Sequence, residues 1–285
     1  MKARPPLWRG LQLTVLGSVL LGVAACGSPG ATTSTAGTSS SSVSAAVLAD
    51  LAPSGRLRVG MSALPPLFAV KDAASGDLHG IGVDLADALA RELGVPVEVV
   101  SYPDLGALIG AASSGGWDVS IVPLNDRAKA AVDLTAPFLL VPHTFLVRAD
   151  SSIHTMADAD QPGRRIASVA TAGHTSALTA QLKHATVVPV DTAAAGLQLL
   201  ASGAVDAYAD GRGALRALAA QVAGSRLIAD DFFVGRWALA VAKGHATAQA
   251  FLARFIESMK ADGAVQQAID RLGKPDISVA PATAG

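Results

Sequence analysis

A short segment in the middle of the chain combines hydroxyl groups, a glycine and a histidine at the start of a predicted helix. The segment Ala170–Leu178 reads ATAGHTSAL and follows a predicted strand. The backbone N–H groups at such a helix start, together with the hydroxyl groups of Thr175 and Ser176, suit an anionic oxygen. His174 could donate a further hydrogen bond, although a lone histidine at a helix start is more often a cap or a surface residue. We expect this segment, with Gly173 in its turn, to bind an anionic group.

The motifs of the common enzyme classes are missing from the sequence. GIGVDL begins like a dinucleotide-binding fingerprint, but Leu85 stands where the third glycine belongs, so we interpret the segment as a turn that opens a helix. The sequence contains no nucleophile elbow and no zinc-binding HExxH, its one cysteine cannot form a pair, and its six histidines are scattered without ligand spacing. These observations predict a protein without catalytic residues, bound metal or cofactor.

Bulk composition excludes a further class and sets the size of the fold. The 285 residues are enough for two lobes of ordinary size, and 51% of them are apolar. Lys and Arg number 22 against 23 Asp and Glu, no basic block occurs, and aromatic residues make up only 4%. A nucleic-acid-binding protein would need a basic surface and stacking aromatics, so we expect no nucleic-acid partner.

The first 46 residues read as an export signal followed by a tether. Basic residues near the start precede an apolar stretch over residues 11–25. This stretch is shorter than the ~20 residues that span a bilayer, and it ends in small residues, as a secretory signal peptide does. Cys26 follows Val-Ala-Ala, which resembles the lipobox of bacterial lipoproteins. We therefore expect a signal peptide over 1–25, a lipidated Cys26 and a flexible tether over 26–46. The protein would be exported and anchored to the cell membrane, facing the periplasm or the cell exterior.

The rest of the chain alternates strand and helix patterns, which predicts an α/β fold. A first unit contains the strand RLRVG, the helix GVDLADALARELG, the strand VPVEVVSY and a helix capped by Asp104. A weaker copy opens at PGRRIASV, and GLQLLASGAVDAYA echoes ALIGAASSGGWDVSI, so that Asp118 and Asp206 occupy matching places. The echo suggests two similar α/β lobes.

Two strand patterns carry the chain out of the first lobe and back into it. They cover Thr144–Arg148 and Trp237–Gly244. We assign residues 47–143 and 243–285 to the first lobe and residues 144–242 to the second. Two lobes joined by two hinge strands, with a cleft between them, are typical of receptors that close around a ligand.

Seven segments, taken in order and spacing, resemble one protein family: GRLRVG, GIGVDLADALARELGV, WDVSIVPLNDRAKAAVDLTAPF, HTFLVRAD, DADQPGRRIASV, LASGAVDAYAD and LAVAKG. Over residues 55–274 the chain resembles the family 3 extracellular solute-binding proteins, the polar-amino-acid receptors of ABC importers. The resemblance implies a type II-like periplasmic-binding-protein fold. It also implies a monomeric substrate-binding lipoprotein without enzymatic activity, which binds an amino acid or a related small carboxylate and delivers it to an ABC transporter permease.

The same resemblance implies which residues bind the ligand. Arg127 matches an arginine that grips the ligand carboxylate, and its planar guanidinium suits that role. Asp210 matches an aspartate that receives the ligand ammonium at the end of a second-lobe strand. The turn at Gly173–Ser176 matches one that closes over the carboxylate, and Phe68 lies near the place of a ligand-stacking aromatic. The family has a run of hydroxyl residues before the arginine. This chain has Val-Pro-Leu and Asn125 there, which makes a less polar cup for the ligand.

Two of these residues also have an alternative interpretation that involves no ligand. Arg127 could be a surface arginine paired with Asp126 or Asp133, and Asp210 could be a turn residue before Gly211.

Two alternative functions use the same scaffold. Cyclohexadienyl dehydratases resemble these receptors and add a carboxylic acid in the cleft as a general acid. The glutamates of this chain all fall on predicted helix or outer-strand positions: Glu92, Glu98 and Glu257. The other alternative is a purely sensory role, in which the closed form contacts a membrane signalling partner.

Overall fold

Helices and strands alternate through the computed structural model, which describes residues 43–63 and 66–283. The strands are β1 Leu57–Ser62, β2 Val70–Lys71, β3 Leu78–His79, β4 Val97–Tyr102, β5 Val119–Pro123, β6 Val132–Leu134, β7 Leu139–Arg148, β8 Arg165–Val169, β9 Thr186–Val190, β10 Ala207–Gly211, β11 Ser225–Leu227, β12 Phe233–Ala242 and β13 Ser278–Val279. The helices are α1 Ala45–Leu51, α2 Ile81–Leu93, α3 Leu105–Gly110, α4 Asp126–Ala131, α5 Met156–Ala159, α6 Gly173–Gln181, α7 Ala193–Ala201, α8 Arg212–Ala219, α9 Ala246–Ala261 and α10 Ala264–Leu272.

The main sheet consists of two parallel halves joined by two long antiparallel strands. Its order is β4-β1-β5-β12-β7-β10-β8-β9, with β6 on β12 and with β11 and β13 on β7. In the first half β1 pairs in parallel with β4 and β5, and in the second β8 pairs in parallel with β9 and β10. Strands β7 and β12 lie antiparallel between the halves, with Leu139 opposite Trp237 and His143 opposite Phe233. The predicted α/β fold with two lobes and two crossing strands is confirmed.

Helices cover both faces of each half of the sheet and bury separate apolar cores. In the first half, α1, α2, α9 and α10 pack on one face and α3 and α4 on the other. In the second half, α5 and α6 pack on one face and α7 and α8 on the other. This layering places the starts of α4 and α6, where the candidate ligand residues lie, beside the carboxyl ends of parallel strands, the usual position of ligand sites in α/β sheets.

Local sequence signals account for the first elements of the fold. On α2 the side chains of Leu85, Leu89 and Leu93 are buried as one stripe, and Gly94 ends the helix with a φ of 70° that favours glycine. The Asp104 carboxylate accepts a hydrogen bond of 2.8 Å from the N–H of Ala107 and so caps α3. Both elements agree with the sequence prediction.

Each lobe contains an aspartate that links two neighbouring parallel strands. The aspartate lies just before one strand and accepts a hydrogen bond from the backbone of the other. In the first lobe Asp118 accepts a hydrogen bond of 2.8 Å from the backbone N–H of Arg58. In the second lobe Asp206 accepts one of 2.9 Å from the backbone N–H of Arg165. Each aspartate also forms an ion pair with an arginine, Arg58 in one lobe and Arg164 in the other. The matching places that the sequence suggested are therefore structurally equivalent.

The chain returns to the first lobe earlier than the predicted boundary at residue 243. β12 pairs with β5 from Trp237 to Ala240, and the Trp237 ring lies within the first-lobe core. We place the return at Trp237, because residues 237–242 already belong to the first half of the sheet. The apolar pattern of one continuous strand could not reveal where the strand changes its partners.

The expectations for the start of the chain fall largely outside the described residues. The signal peptide over 1–25, the lipidated Cys26 and most of the tether lie there. Helix α1 begins at Ala45 and is capped by Ser44, slightly before residue 47, where we expected the first lobe to start. No helix in residues 43–63 and 66–283 is long and apolar enough to cross a membrane.

Candidate functional site

Helix α4 holds Arg127 on the surface of the first lobe. The helix begins after Asn125, whose side-chain oxygen accepts a hydrogen bond of 2.9 Å from the N–H of Ala128. Asn125 therefore acts as a helix cap in this structure, and its ligand-binding role stays a prediction. The guanidinium of Arg127 lies over Gly106, where a β-carbon would come within 3.2 Å of Nη2. Because Gly106 has no side chain, the guanidinium of Arg127 can approach its backbone this closely.

Arg127 has no partner among the residues that the structure describes. It is exposed and forms neither a hydrogen bond nor an ion pair there. Asp126 instead pairs with Lys129 at 3.4 Å, and Asp133 pairs with Lys243 at 2.8 Å. The hydrogen bond from the Lys243 ammonium lowers the pKa of Asp133. The alternative interpretation, in which Arg127 forms an ion pair with one of these two aspartates, is not supported.

Asp210 is held as an oriented acceptor in the second lobe. The Tyr208 hydroxyl donates a hydrogen bond of 2.9 Å to one carboxylate oxygen, and the N–H of Gly211 donates one of 2.7 Å to the other. Burial raises the pKa of Tyr208, so the phenol keeps its proton and remains a donor. Strand β10 continues through Gly211, so Asp210 lies in a strand and not in the turn of the alternative interpretation.

Close packing behind Tyr208 fixes the position of its ring. A β-carbon at Gly196 on α7 would lie 2.5 Å from the Tyr208 ring, so a larger residue there would displace the tyrosine. The glycine lets α7 approach β10 closely enough to press the ring into place. The orientation of Asp210 thus depends on a helix that never contacts the carboxylate directly.

The turn at the start of α6 offers fewer donors than its sequence predicted. The Thr175 hydroxyl donates a hydrogen bond of 2.7 Å to the backbone carbonyl of Val169 and lies 2.7 Å from the Ser168 hydroxyl. Its one proton is therefore used inside the lobe, which argues against the predicted donation to a ligand. Ser176 and Gly173 are exposed, and the N–H of Gly173 has no acceptor within the helix. Of the predicted hydroxyl pair, only Ser176 is free to contact an anion.

His174 lies inside the second lobe, next to a second histidine that the sequence analysis missed. Only 8% of His174 is exposed, and its ring centroid lies 4.7 Å from that of His143 on β7. Burial lowers the pKa of His174 and lowers that of His143 to about 3, so both rings are neutral. The signal for His143 was a histidine at the start of the predicted strand pattern HTFLVR, two residues before the apolar run Phe-Leu-Val.

Phe68 lies in the first-lobe core. The residue is 2% exposed, and its ring packs against Trp237 with the centroids 4.6 Å apart. In this arrangement the ring presents no free face, so the predicted stacking of Phe68 on a ligand has no support from its position. The sequence pattern could not show the direction in which the ring points.

The crossing strands connect the two groups of residues. The N–H of Leu124, in the loop before Asn125, donates a hydrogen bond of 2.7 Å to the carbonyl of Arg236 on β12. Phe233, on the same strand, is opposite His143, and Gly211 is opposite His143 on the other side of β7. Arg236 and Phe233 lie three residues apart on β12, a distance of about 10 Å. The loop before α4 therefore contacts β12 about 10 Å along the strand from the residue that pairs with His143.

This arrangement matches a known family over most of the chain. The sequence profile of the bacterial extracellular solute-binding proteins, family 3, matches residues 57–274. The chain belongs to this family.

Individual relatives cover most of this family 3 protein, and those of known structure share its fold. The ABC transporter glutamine-binding protein GlnH of Bacillus subtilis (strain 168) is 22% identical over 270 residues, which cover 93% of this chain and 97% of the relative. A binding component of an ABC transporter from Wolinella succinogenes DSM 1740, complexed with lysine, has a TM-score of 0.64 at 23% identity. The match covers 76% of this chain and 95% of the Wolinella chain. The ancestral amino acid-binding protein AncCDT-1, a precursor of cyclohexadienyl dehydratase, has a TM-score of 0.63 at 27% identity, and the match covers 79% of this chain and 98% of the AncCDT-1 chain.

Proposed function

We propose that the protein is the substrate-binding lipoprotein of an ABC importer and that it binds an amino acid or a related small carboxylate between its lobes. The observation that carries this proposal is Arg127, an exposed guanidinium without an internal partner in the described structure. A guanidinium of this kind can bond a ligand carboxylate through two parallel hydrogen bonds. Its place beside the crossing strands supports a site for that carboxylate at the junction of the two lobes.

Asp210 supplies the complementary charge from the second lobe. The ligand docks first on the lobe that carries Arg127, and rotation about β7 and β12 then brings Asp210 and the turn at Gly173–Ser176 across it. A ligand stabilises the closed form only through bonds that the open form cannot make, so bonds to both lobes are required. An amino acid meets this requirement, because it carries a carboxylate and an ammonium group.

Two relatives support an amino acid as the ligand. GlnH of Bacillus subtilis is a glutamine-binding protein, and the Wolinella succinogenes protein was crystallised with lysine. The less polar cup before Arg127 leaves the choice among amino acids and related carboxylates open to measurement.

The placement of the glutamates favours binding over dehydratase chemistry. Glu92 lies on α2, Glu98 on the outer strand β4 beside Arg56, and Glu257 on α9 beside Lys260. Glu98 and Glu257 each form an ion pair, at 3.2 Å and 2.6 Å. A general acid must point at the substrate, and none of these three is on an element that carries the candidate site.

A thermal-shift screen tests the proposed ligand class. A soluble form that begins at residue 43, just before α1, would be heated with each of the twenty amino acids and with simple carboxylates. A ligand at one hundred times its dissociation constant adds about 2.7 kcal/mol to the free energy of unfolding, so we expect the midpoint to rise by several degrees for one group of amino acids. If no amino acid or carboxylate shifts the midpoint, the proposed ligand class is wrong.

The lipid anchor is tested by replacing the one cysteine. We expect Cys26→Ser to move the exported protein from the membrane fraction to the soluble fraction, because the acyl chains that hold it would be missing. Membrane and soluble fractions of expressing cells would be compared by immunoblot, with Ser40→Ala in the tether as a matched control that stays with the membrane. Retention of the Cys26→Ser variant in the membrane fraction would contradict the anchor.

A further inference from the structure

We propose that an ion pair between Arg216 and Asp276 acts as a latch that holds the two lobes in an open arrangement and so limits the affinity for the ligand. Arg216 lies on α8 in the second lobe, and Asp276 lies in the C-terminal segment of the first lobe, residues 273–283. The effect of this lobe latch on affinity rests on the proposed function, whereas its effect on the arrangement of the lobes does not.

The first observation is that the pair is bidentate and joins the lobes. Nε of Arg216 donates a hydrogen bond of 2.9 Å to one carboxylate oxygen of Asp276, and Nη2 donates one of 2.6 Å to the other. The Asp276 side chain is only 7% exposed. Among residues 43–63 and 66–283, every other ion pair lies within a single lobe. Two parallel hydrogen bonds fix the guanidinium relative to the carboxylate, so the pair depends on how the two lobes are placed.

The second observation is the position of the pair beside the part of β7 that joins the lobes. β12 occupies one edge of β7 from Leu139 to His143, so β13 and β10 both lie on the other edge. On that edge β13 pairs as far as Leu140, and β10 pairs from His143 onward. A β-carbon on Gly213, in the first turn after β10, would lie 3.8 Å from the Asp276 carboxylate. The pair therefore lies at the gap between β13 and β10, where β7 passes from one lobe to the other.

Each partner is fixed to its own lobe. The C-terminal segment is held on the first lobe, because Ile277 is buried in the first-lobe core and the Lys260 ammonium donates a hydrogen bond of 2.9 Å to the carbonyl of Pro281. Helix α8 is held on the second lobe, because Leu215 is buried in a core of that lobe. A rotation of one lobe against the other therefore displaces the two partners and weakens the bidentate pair.

The arrangement in which the pair is intact is an open one. Arg127 on the first lobe and Gly173 and Ser176 on the second are exposed, and Arg127 forms no hydrogen bond or ion pair with the second lobe in the described structure. Closure around a ligand has to cover these groups, so it rotates the lobes away from this arrangement. Because closure weakens the pair, the apparent affinity is lower than it would be without the latch.

Two variants break the latch, and a control breaks an equivalent pair elsewhere. Arg216→Gln and Asp276→Asn each remove one charge of the latch. Arg271→Gln is the matched control, because Arg271 is a helical arginine that is 57% exposed, against 60% for Arg216, and its partner Asp84 lies in the same lobe. Thermal unfolding would first show that each variant folds.

The arrangement of the lobes is measured without ligand. Pulsed electron paramagnetic resonance would give the distance between spin labels on Ser113→Cys and Ser202→Cys, two exposed positions on the first and the second lobe. The full chain would carry Cys26→Ser, so that the two labelled cysteines are the only ones. We expect both latch variants to show a second distance population that the wild type and the control variant lack. An unchanged distance distribution in the latch variants overturns the latch.

The affinity gives the direction of the effect. Dissociation constants for L-glutamine, L-lysine and L-arginine would be measured by calorimetry. We expect both latch variants to bind a probe that the wild type binds about threefold to tenfold more tightly, and the control variant to match the wild type. Equal or weaker binding by the latch variants overturns the role of the pair in opposing closure. If the wild type binds none of the three probes, that result counts against the amino-acid-binding function and not against the latch, which the distance measurement then decides.

Discussion

Replacement of Arg127 by alanine should remove measurable ligand binding without unfolding the protein. The guanidinium makes no internal hydrogen bond or ion pair in the described structure, so its removal breaks no contact that stabilises the fold. In the closed complex, however, the loss would leave the ligand carboxylate buried without its cation. Breaking a buried pair by removing one partner costs about 3–5 kcal/mol, which corresponds to a loss of about two to four orders of magnitude in affinity.

The experiment needs a control that removes an equivalent charge elsewhere. Arg91 on α2 is also exposed and forms no ion pair in the part of the chain that the structure describes, so Arg91→Ala is a suitable match. Calorimetric titration with the amino acid that gives the largest thermal shift would compare the two variants, and urea unfolding would compare their stabilities. Wild-type affinity in Arg127→Ala would rule out the proposed site, and a large loss of stability would contradict the free guanidinium.

The largest effect on stability is expected for Asp118→Ala. The Asp118 side chain is only 3% exposed, and it accepts hydrogen bonds from the backbone N–H of Arg58 at 2.8 Å and from its Nε at 3.1 Å. The hydrogen bond that the Arg58 guanidinium donates to this carboxylate raises the pKa of Arg58. Truncation would leave the backbone N–H of Arg58 without an acceptor and its guanidinium without a counter-charge, although Nη1 keeps its hydrogen bond of 2.8 Å to the carbonyl of Gly115. We expect a cost of about 3–5 kcal/mol.

The second lobe contains the matched control for this prediction. Asp206 makes the equivalent contacts with the backbone of Arg165 and the side chain of Arg164, but its side chain is 27% exposed. Water can replace part of the hydrogen bonding that Asp206→Ala removes. The free energy of unfolding should therefore fall by less in Asp206→Ala than in Asp118→Ala. Urea denaturation of the two variants without ligand tests this order. An equal or larger loss for Asp206→Ala would show that burial does not set the strength of this shared contact.

Features that depend on near neighbours in the chain could be predicted from the sequence. The buried stripe of Leu85, Leu89 and Leu93 follows from helical periodicity, and the cap at Asp104 follows from the residue type at a helix start. The equivalence of Asp118 and Asp206 was visible because the two lobes repeat the same local order of helix, turn and strand. Family membership rests on the same kind of ordered local pattern.

Only the tertiary structure decided which groups meet across the sheet. His143 and His174 lie on different elements and come together because β7 pairs with β10 and α6 packs over that pair. The inward turn of the Thr175 hydroxyl and the burial of Phe68 against Trp237 are likewise set by partners distant in sequence. Periodicity identifies the face of an element that is buried, but not the residues that it faces. The sequence by itself therefore determined the fold and the family and predicted an anion-binding arginine, whereas packing determined which side chains remain free for a ligand.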